Sequence, residues 1–446
     1  MDYQASLEYL SALGHEVRDR HFDLQTIERL AKALGHPEQN YPTAVIAGTN
    51  GKGSTSAILA SILRQAGYRT GLYTSPHLVR VNERIQLNGE PCADEDFAAA
   101  VSSVAEAAAA LAAGGGPVQP PSFFEIVTAA AFLHFARARA EFVVLEVGMG
   151  GRLDATNITR PRVAVITNID YDHTEFLGDT LEAIAGEKAG VIKPGTPVIS
   201  GCEQQGAAQV IRQRCAALGA PLMEVARLAR LSRFEQKGGR YAFDLAMNGD
   251  GLSGLEPGLA GRFQVKNTMA AVGAAWQLAR QGFAIRPEDI REGVHTARWP
   301  GRLETVAESP WVVLDGAHNP AGVREVAEFL QTSAPGRPVR LVFACSRDKA
   351  IGGMSDVLFP CAAALYLTTT PSHRSATPQE ILQQARSVPP HRIEEPDPVA
   401  ALARAVADAR DGEMVMATGS LFLVGAIRQA LLEGRLRFDS GHAHGS

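Results

Sequence analysis

The 446-residue chain has only five cysteines, Cys92, Cys202, Cys215, Cys345 and Cys361, and no two of them are close in sequence. That scatter excludes a thiolate zinc site and a disulfide framework, and it fits a reducing compartment, the cytoplasm. An excess of one charge is also missing. Lys and Arg total 43 against 48 Asp and Glu, a net charge of −5, so there is no general attraction for nucleic acid or acidic lipid. An anion site would have to be local. No stretch approaches the ~18 apolar residues of a membrane span, and Met1-Asp2-Tyr3-Gln4 shows neither the basic region nor the apolar run of a leader. At 46% hydrophobic and 20% charged residues the chain is globular, and its length exceeds one ordinary core, so two or three domains are expected.

What is present is organised around Thr43–Thr55, TAVIAGTNGKGST. Thr43 to Ala47 is apolar and β-branched, as a buried parallel strand should be. Gly48-Thr49-Asn50-Gly51-Lys52-Gly53 suits a loop needing unusual φ and close backbone approach. Ser54 to Ala66 has apolar residues at helical spacing. A strand, a glycine loop and a helix N-terminus together form a phosphate site, with Lys52 adding a full charge and Ser54 or Thr55 within reach of a magnesium ion. The strict P-loop pattern is not met: Gly53 separates Lys52 from Ser54, and Ile46 stands where the first glycine belongs. A tightly packed βα turn is the alternative reading.

Ahead of the loop, residues 5–34 read as two helices. Behind it, Gly71–Thr74 is a second strand that completes a βαβ unit, and Ser75-Pro76-His77 follows at the strand end where ligands bind in open α/β sheets. Asn88-Gly89 marks a tight turn. Ala99–Ala113 and Phe123–Arg139 read as helices, separated by a Gly/Pro stretch up to Pro121 expected to be mobile, and His134 reads as a satisfied helix histidine. Phe142–Val147 is a buried strand interrupted by Glu146, a carboxylate that is costly there unless paired or metal-bound. Val163–Thr167 is another strand, followed by the polar run Asn168, Asp170, Asp172, His173, Thr174, Glu175, which also reads as a capped helix start at Asp172. Leu181–Ile192 is a helix, with Lys188 read as a plain helix lysine within reach of Glu187, and Pro197–Ser200 a strand. Residues 228–262 suggest a small β hairpin region, and a long helix runs to Arg280. Periodicity lapses at Thr296–Arg302, the expected boundary between domains 1–297 and 298–446. Strands at Val312–Leu314, Val339–Ala344, Ala364–Thr368 and Met414–Ala417 then imply a second, mostly parallel sheet. Ser440–Ser446 reads as a frayed tail in which His442 and His444 are not ligands.

The motifs together resemble the folylpolyglutamate synthase and dihydrofolate synthase family, part of the Mur-ligase-like ATP-dependent amide ligases. They are GTNGKGST at Gly48, TSPHLVRVNERI at Thr74, EVGMGGRLDATN at Glu146, TNIDYDHTEFLG at Thr167, EKAGVIKPG at Glu187, GRFQVKN at Gly261, WPGRLE at Trp299, LDGAHNP at Leu314 and TGSLFLVG at Thr418. The irregular glycine loop is this family's own form. The resemblance implies an α/β fold, with an N-terminal P-loop-type, mostly parallel sheet domain carrying a small β region and a smaller C-terminal Rossmann-like α/β domain. It implies ATP-dependent ligation of L-glutamate to tetrahydrofolate-type folates, and to dihydropteroate as well, through an acyl phosphate.

The same resemblance assigns residues. Thr49, Asn50, Gly51, Lys52, Gly53, Ser54, Asn267, Arg302, Asp315 and His318 contact ATP. Ser75, Glu146, His173 and Lys188 hold one or two magnesium ions, Lys188 as a carbamylated lysine. Lys52, Lys188 and His318 are the catalytic set, Phe124, Asp154 and Ala155 line the pterin region, and Ser420 positions glutamate. It further implies a cytoplasmic monomer acting on small molecules. A Mur-type peptidoglycan ligase is the first alternative, disfavoured because the loop begins at Gly48 and leaves no room for the substantial N-terminal domain of such ligases. A non-catalytic nucleotide-binding regulator is the second, disfavoured by Lys52, Glu146, His173 and Lys188 occurring together.

Overall fold

The protein is described by a computed structural model covering residues 1–14, 23–114 and 119–438. Part of the Gly/Pro stretch (115–118) and the tail from 439 onward lie outside the described residues.

The first sheet is built from β1 (Thr43–Ala47), β2 (Thr70–Tyr73), β3 (Ile85–Leu87), β4 (Glu90–Pro91), β5 (Phe142–Glu146), β6 (Val163–Ile166), β7 (Val198–Ser200) and β8 (Leu222–Glu224). Their order is β4-β3-β2-β5-β1-β6-β7-β8, parallel except where β3 and β4 fold back as an antiparallel hairpin. β1 is buried at all five positions, because helices cover both faces and alternate residues feed separate cores. Val45 and Ala47 join one apolar cluster; Ala44 and Ile46 join the other. β5 lies on one side of β1 and β6 on the other, so the chain changes direction across the sheet at β1. The crevice at the carboxyl end of β1 is therefore the expected ligand position.

Three further strands, β9 (Ala229–Lys237), β10 (Arg240–Met247) and β11 (Asp250–Leu255), make a small antiparallel sheet. The expected hairpin is thus three-stranded, with register shifts beside Ala242 and Phe243. The second large sheet contains β12 (Glu304–Glu308), β13 (Trp311–Leu314), β14 (Val339–Phe343), β15 (Ala364–Leu367), β16 (Arg392–Glu394) and β17 (Met414–Thr418) in the order β12-β13-β17-β14-β15-β16. Only β12 runs antiparallel.

Several sequence expectations need correcting. The helix after the glycine loop begins at Lys52, not Ser54. β3, β4, β8 and β16 are strands of two or three residues at or near sheet edges, too few to show a period, and β12 is a half-exposed edge strand without an apolar run. The helix at Leu181 ends at Lys188 and tightens into a 3-10 turn, Ala189–Val191. The expectation that no stretch could span a membrane also fails: helix Asp94–Ala113 is long and apolar enough by length and composition. Alanine produces that result. The helix opens on Asp94, Glu95 and Asp96, and its Phe97, Val101 and Val104 pack into the first core.

Candidate functional site

The site is built from strand ends. β1 pairs Ile46 with Glu146 of β5 and Ala47 with Ile166 of β6, so the loops after these three strands emerge side by side. Gly48 has φ +147° and Gly51 φ +79°, both in the range that favours glycine. A Cβ at Gly48 would strike the Thr167 hydroxyl, and one at Gly51 the Asn267 amide. The loop is fixed from β6: Thr49 N–H donates to Asn168 O (3.1 Å), Asn50 N–H to Asn168 Oδ1 (2.8 Å), and the Thr167 hydroxyl to Asn50 O (2.6 Å). Gly51 caps helix Lys52–Gln65 in a left-handed conformation, and Lys52 Nζ donates back to Thr49 O at 3.0 Å. Gly53 leaves room for the Trp299 indole, whose Nε1 would lie 2.7 Å from a Cβ there. Ser54 Oγ accepts from Gln264 Nε2 (3.2 Å), and Asn267 Nδ2 donates to Gln264 Oε1 (2.8 Å), which ties the GRFQVKN helix to the loop.

Glu146, at the end of β5, is buried, and Ser75 N–H donates to its Oε2 at 3.3 Å. Burial pushes its carboxyl up to about 7, against the opposing pull of Lys52, the Ser75 amide and Arg302. The following turn brings the three predicted pterin-region residues together. The Phe124 ring lies where a Gly148 Cβ would be, 2.6 Å from the nearest ring carbon, with Ser75 Oγ 3.3 Å away. Asp154 Oδ2 accepts from the Gly148 and Met149 amides (both 3.1 Å), and its Oδ1 accepts from the Thr156 amide and hydroxyl (3.1 and 2.7 Å). Ala155 is buried behind it. Asp154 shapes this turn with both oxygens already engaged.

After β6, His173 (φ +49°) caps the one-turn helix Thr174–Leu177; the helix start expected at Asp172 falls one residue later. Burial depresses His173 to about 4, with Asp172 opposing and Lys349, Lys52 and Lys188 reinforcing, so the imidazole is neutral with a lone pair available. Asp172 is held well below the usual carboxylate range: burial works against this, but His173, Lys349, His318 and Lys52 outweigh it. Lys188 is not paired with Glu187, whose Oε1 is taken by Arg152 at 2.9 Å. The Lys188 ammonium is buried and donates to Gly48 O at 2.8 Å. Burial, helped by Lys52, lowers it to about 7. A buried lysine poised to lose its proton has the electronic state that carbamate formation requires.

The second sheet closes on these loops. Asp315, after β13, accepts from the Leu303 and Ala317 amides (2.9 and 2.8 Å), and burial raises its carboxyl. His318 Nδ1 lies 2.8 Å from Gly316 O, and burial with Lys349 nearby lowers it to about 4. Arg302 lies against Gly316 and donates to Gly301 O at 3.0 Å. Several contacts cross from one sheet's loops to the other's. Asn319 Nδ2 donates to Asn50 Oδ1 (3.1 Å), Lys349 Nζ lies 3.6 Å from Asp172, and Arg324 Nη2 lies 3.4 Å from Asp170. Ser420 caps helix Leu421–Leu432 by accepting from Phe422 N–H at 3.1 Å.

Sequence reasoning gave no role to Asn319, Lys349, Gln264 or Trp299. Asn319 and Gln264 sit inside motifs that were singled out, whereas nothing near Lys349 marks it, because its partner is 177 positions away in sequence. Among the described residues no three His, Cys, Asp or Glu side chains form a metal cage by themselves. Glu146 and the Ser75 hydroxyl offer hard oxygen donors, and His173 a neutral nitrogen. That set fits a magnesium ion that takes its remaining ligands from water or phosphate. A cavity of about 1260 Å³ between the small sheet and the second large sheet shares Trp299, Arg302 and Leu303 with the site, but none of the loops that follow β1, β5 and β6.

A parallel-sheet crevice, a glycine loop and a facing second α/β sheet form a two-sheet phosphate-binding site, and the family matches give its class, an ATP-dependent ligase of the Mur type. The Mur ligase middle domain matches residues 46–275, and the Mur ligase, glutamate ligase domain matches residues 301–421. The chain is 36% identical over 410 residues to the dihydrofolate synthase/folylpolyglutamate synthase of Bacillus subtilis, covering 92% of this chain and 94% of that one. It is 34% identical to the folylpolyglutamate synthase of Lacticaseibacillus casei, covering 98% and 100%. E. coli FolC in complex with DHPP and ADP superposes with a TM-score of 0.87 at 29% identity, covering 98% of this chain and 99% of that one. Mycobacterium tuberculosis folylpolyglutamate synthase complexed with ADP gives 0.89 at 30%, covering 98% and 100%. The chain belongs to the folylpolyglutamate synthase/dihydrofolate synthase family.

Proposed function

We propose that this chain joins the carboxylate of a folate-type substrate to the amino group of L-glutamate at the expense of ATP, and that it accepts dihydropteroate as well as tetrahydrofolate. The observation that carries this reading is the convergence of Lys52, Glu146, His173 and Lys188 at three adjacent strand ends, with Asn319 and Lys349 of the second sheet already in contact. ATP lies in that crevice, between units 1–297 and 298–446. The amides of Gly51, Gly53 and Ser54 and Lys52 hold its β- and γ-phosphates, while Thr49 and Asn50, whose amides are taken by Asn168, shape the loop; Asn267, Arg302, Asp315 and His318 hold the rest of the nucleotide. A substrate carboxylate oxygen attacks the γ-phosphorus and ADP leaves. The glutamate nitrogen then attacks the acyl carbon of the resulting acyl phosphate, inorganic phosphate departs, and the nitrogen gives up its proton. The residues contribute mainly charge neutralisation and positioning.

Ser75, Glu146, His173 and, once carbamylated, Lys188 would hold magnesium, which would supply positive charge for the phosphate oxygens. Phe124, Asp154 and Ala155 shape the pterin pocket and Ser420 lies at the glutamate end. The relatives in complex with ADP, one of them also with DHPP, support a nucleotide and a second small molecule as substrates. We place the enzyme in the cytoplasm as a monomer. The deciding experiment is glutamate incorporation with dihydropteroate and tetrahydrofolate in parallel. Incorporation with neither, while ATP is bound, would refute the reading; incorporation with tetrahydrofolate alone would restrict it to folylpolyglutamate synthesis.

A further inference from the structure

The first turn of helix Phe263–Arg280 stands between the two large sheets. Phe263 packs against the apolar core of the second sheet. Its ring and the Leu303 side chain crowd Gly261 together, 2.6 and 2.7 Å from where a Cβ would lie. Arg262, one residue earlier, lies 3.2 Å from Glu328 on helix Pro320–Ser333, which packs on that same sheet. The next residues belong to the first sheet. Gln264 is 1% exposed, and Val265 joins the apolar cluster of Ala44 and Ile46.

Both ends of the Gln264 amide are engaged at the phosphate loop. Its Nε2 donates to Ser54 Oγ at 3.2 Å, and its Oε1 accepts from Asn267 Nδ2 at 2.8 Å. Asn267 in turn lies against Gly51, in the space a side chain there would fill. Gln264 therefore restrains the loop at Ser54 and, through Asn267, at Gly51, positions that Asn168 and Thr167 do not hold. Consecutive residues of one helical turn move together, so a shift of Phe263 with the second core carries Gln264 with it. An anion held by several loop amides depends on their alignment, because each donor must keep its distance and angle.

We propose that Gln264 is a positioning residue: it transmits the docking of the second sheet, sensed at Phe263, to the loop amides of Gly51, Gly53 and Ser54. The nucleotide site it acts on rests on the ligase reading above. One neutral hydrogen bond changes affinity about fivefold and Gln264 makes two, so loss of its amide should weaken ADP about five- to thirtyfold.

The test is ADP binding by calorimetry to the full chain and its Gln264→Met, Phe263→Ala and Phe263→Leu variants and the Gln264→Met double variants, with melting temperatures and KM values alongside. Gln264→Met keeps the length of the side chain and removes only the amide. It should raise KM for ATP about five- to thirtyfold while KM for tetrahydrofolate stays within about twofold. Phe263→Ala should weaken ADP about fivefold and Phe263→Leu about twofold, although neither residue touches the nucleotide. In the double variants the Phe263 effect should vanish, because it acts through Gln264. A folded Gln264→Met chain with wild-type ADP affinity, or losses that multiply in both double variants, would overturn the proposal. Equal rises in KM for ATP and tetrahydrofolate would mark a general loosening and overturn it as well. The expected cycle in a chain that ligates no glutamate would uphold the proposal and refute the ligase reading, and a wild-type chain that binds no ADP would overturn both.

Discussion

Gly148→Ala tests how tightly the predicted pterin region is built. Gly148 has no positive φ to demand glycine, so the cost of a methyl group is steric. The new Cβ would sit 2.6 and 2.7 Å from two carbons of the buried Phe124 ring and 3.3 Å from Ser75 Oγ. An aromatic ring cannot bend away, and Phe124 is also packed against Tyr73, ring centroids 6.3 Å apart. Overpacking of this kind costs about 1–3 kcal/mol, while the stiffer alanine in the unfolded chain returns about 0.4–1 kcal/mol. A net loss of about 1–2 kcal/mol is expected, with a raised KM for dihydropteroate and little change in KM for ATP. Phe124→Leu in the same chain should relieve the clash. The double variant should then be more stable than the two single losses added together, by about 1 kcal/mol in a double-mutant cycle. Urea midpoints and KM values measured on the four proteins decide it. Strict additivity, or a Gly148→Ala enzyme with unchanged midpoint and unchanged pterin KM, would show that the ring is not held where the geometry puts it.

Lys52→Ala should leave the urea midpoint nearly unchanged but reduce ADP release by about a hundredfold or more, because developing phosphoryl charge goes uncompensated; near-normal turnover in the folded variant would refute this. Glu146→Gln should move magnesium dependence to much higher concentration, and an unchanged magnesium titration would remove Glu146 from the ion. Lys188→Ala should be partly rescued by a short carboxylic acid and Lys188→Arg should not, since a guanidinium fills the space without becoming a carbamate; an active arginine variant argues for an unmodified lysine. Burial lowers the pKa of both His134 and His318, so the unfolded chain binds more protons. The contribution of each to stability is complete above pH ~6.5 and falls as pH drops below it, that of His318 being lost as pH approaches 4. His134→Leu should flatten the acid limb of midpoint against pH, and a limb of unchanged slope would exclude His134 from it.

The parts of this protein fixed by the sequence alone are those set by local rules. β1, β5, β6 and β17 are fully buried parallel strands, and continuous apolar runs announce them without ambiguity. Gly48 and Gly51 were legible because their backbone conformations demand glycine. A carboxylate ending a buried strand identified Glu146 as a residue in need of a cation. Tertiary structure decided what depends on distant partners. The strands β3, β4, β8, β12 and β16 exist because a neighbouring strand offers its edge. Lys188 looked like a partner of the adjacent Glu187, but the fold carries its ammonium to the carbonyl of Gly48, 140 residues away, and there burial alters its proton affinity. Lys349 and Asn319 acquired their places only when the second sheet closed on the first. Period and propensity act over a few residues, whereas electrostatics and packing act across space, and a site assembled from strand ends belongs to the second kind.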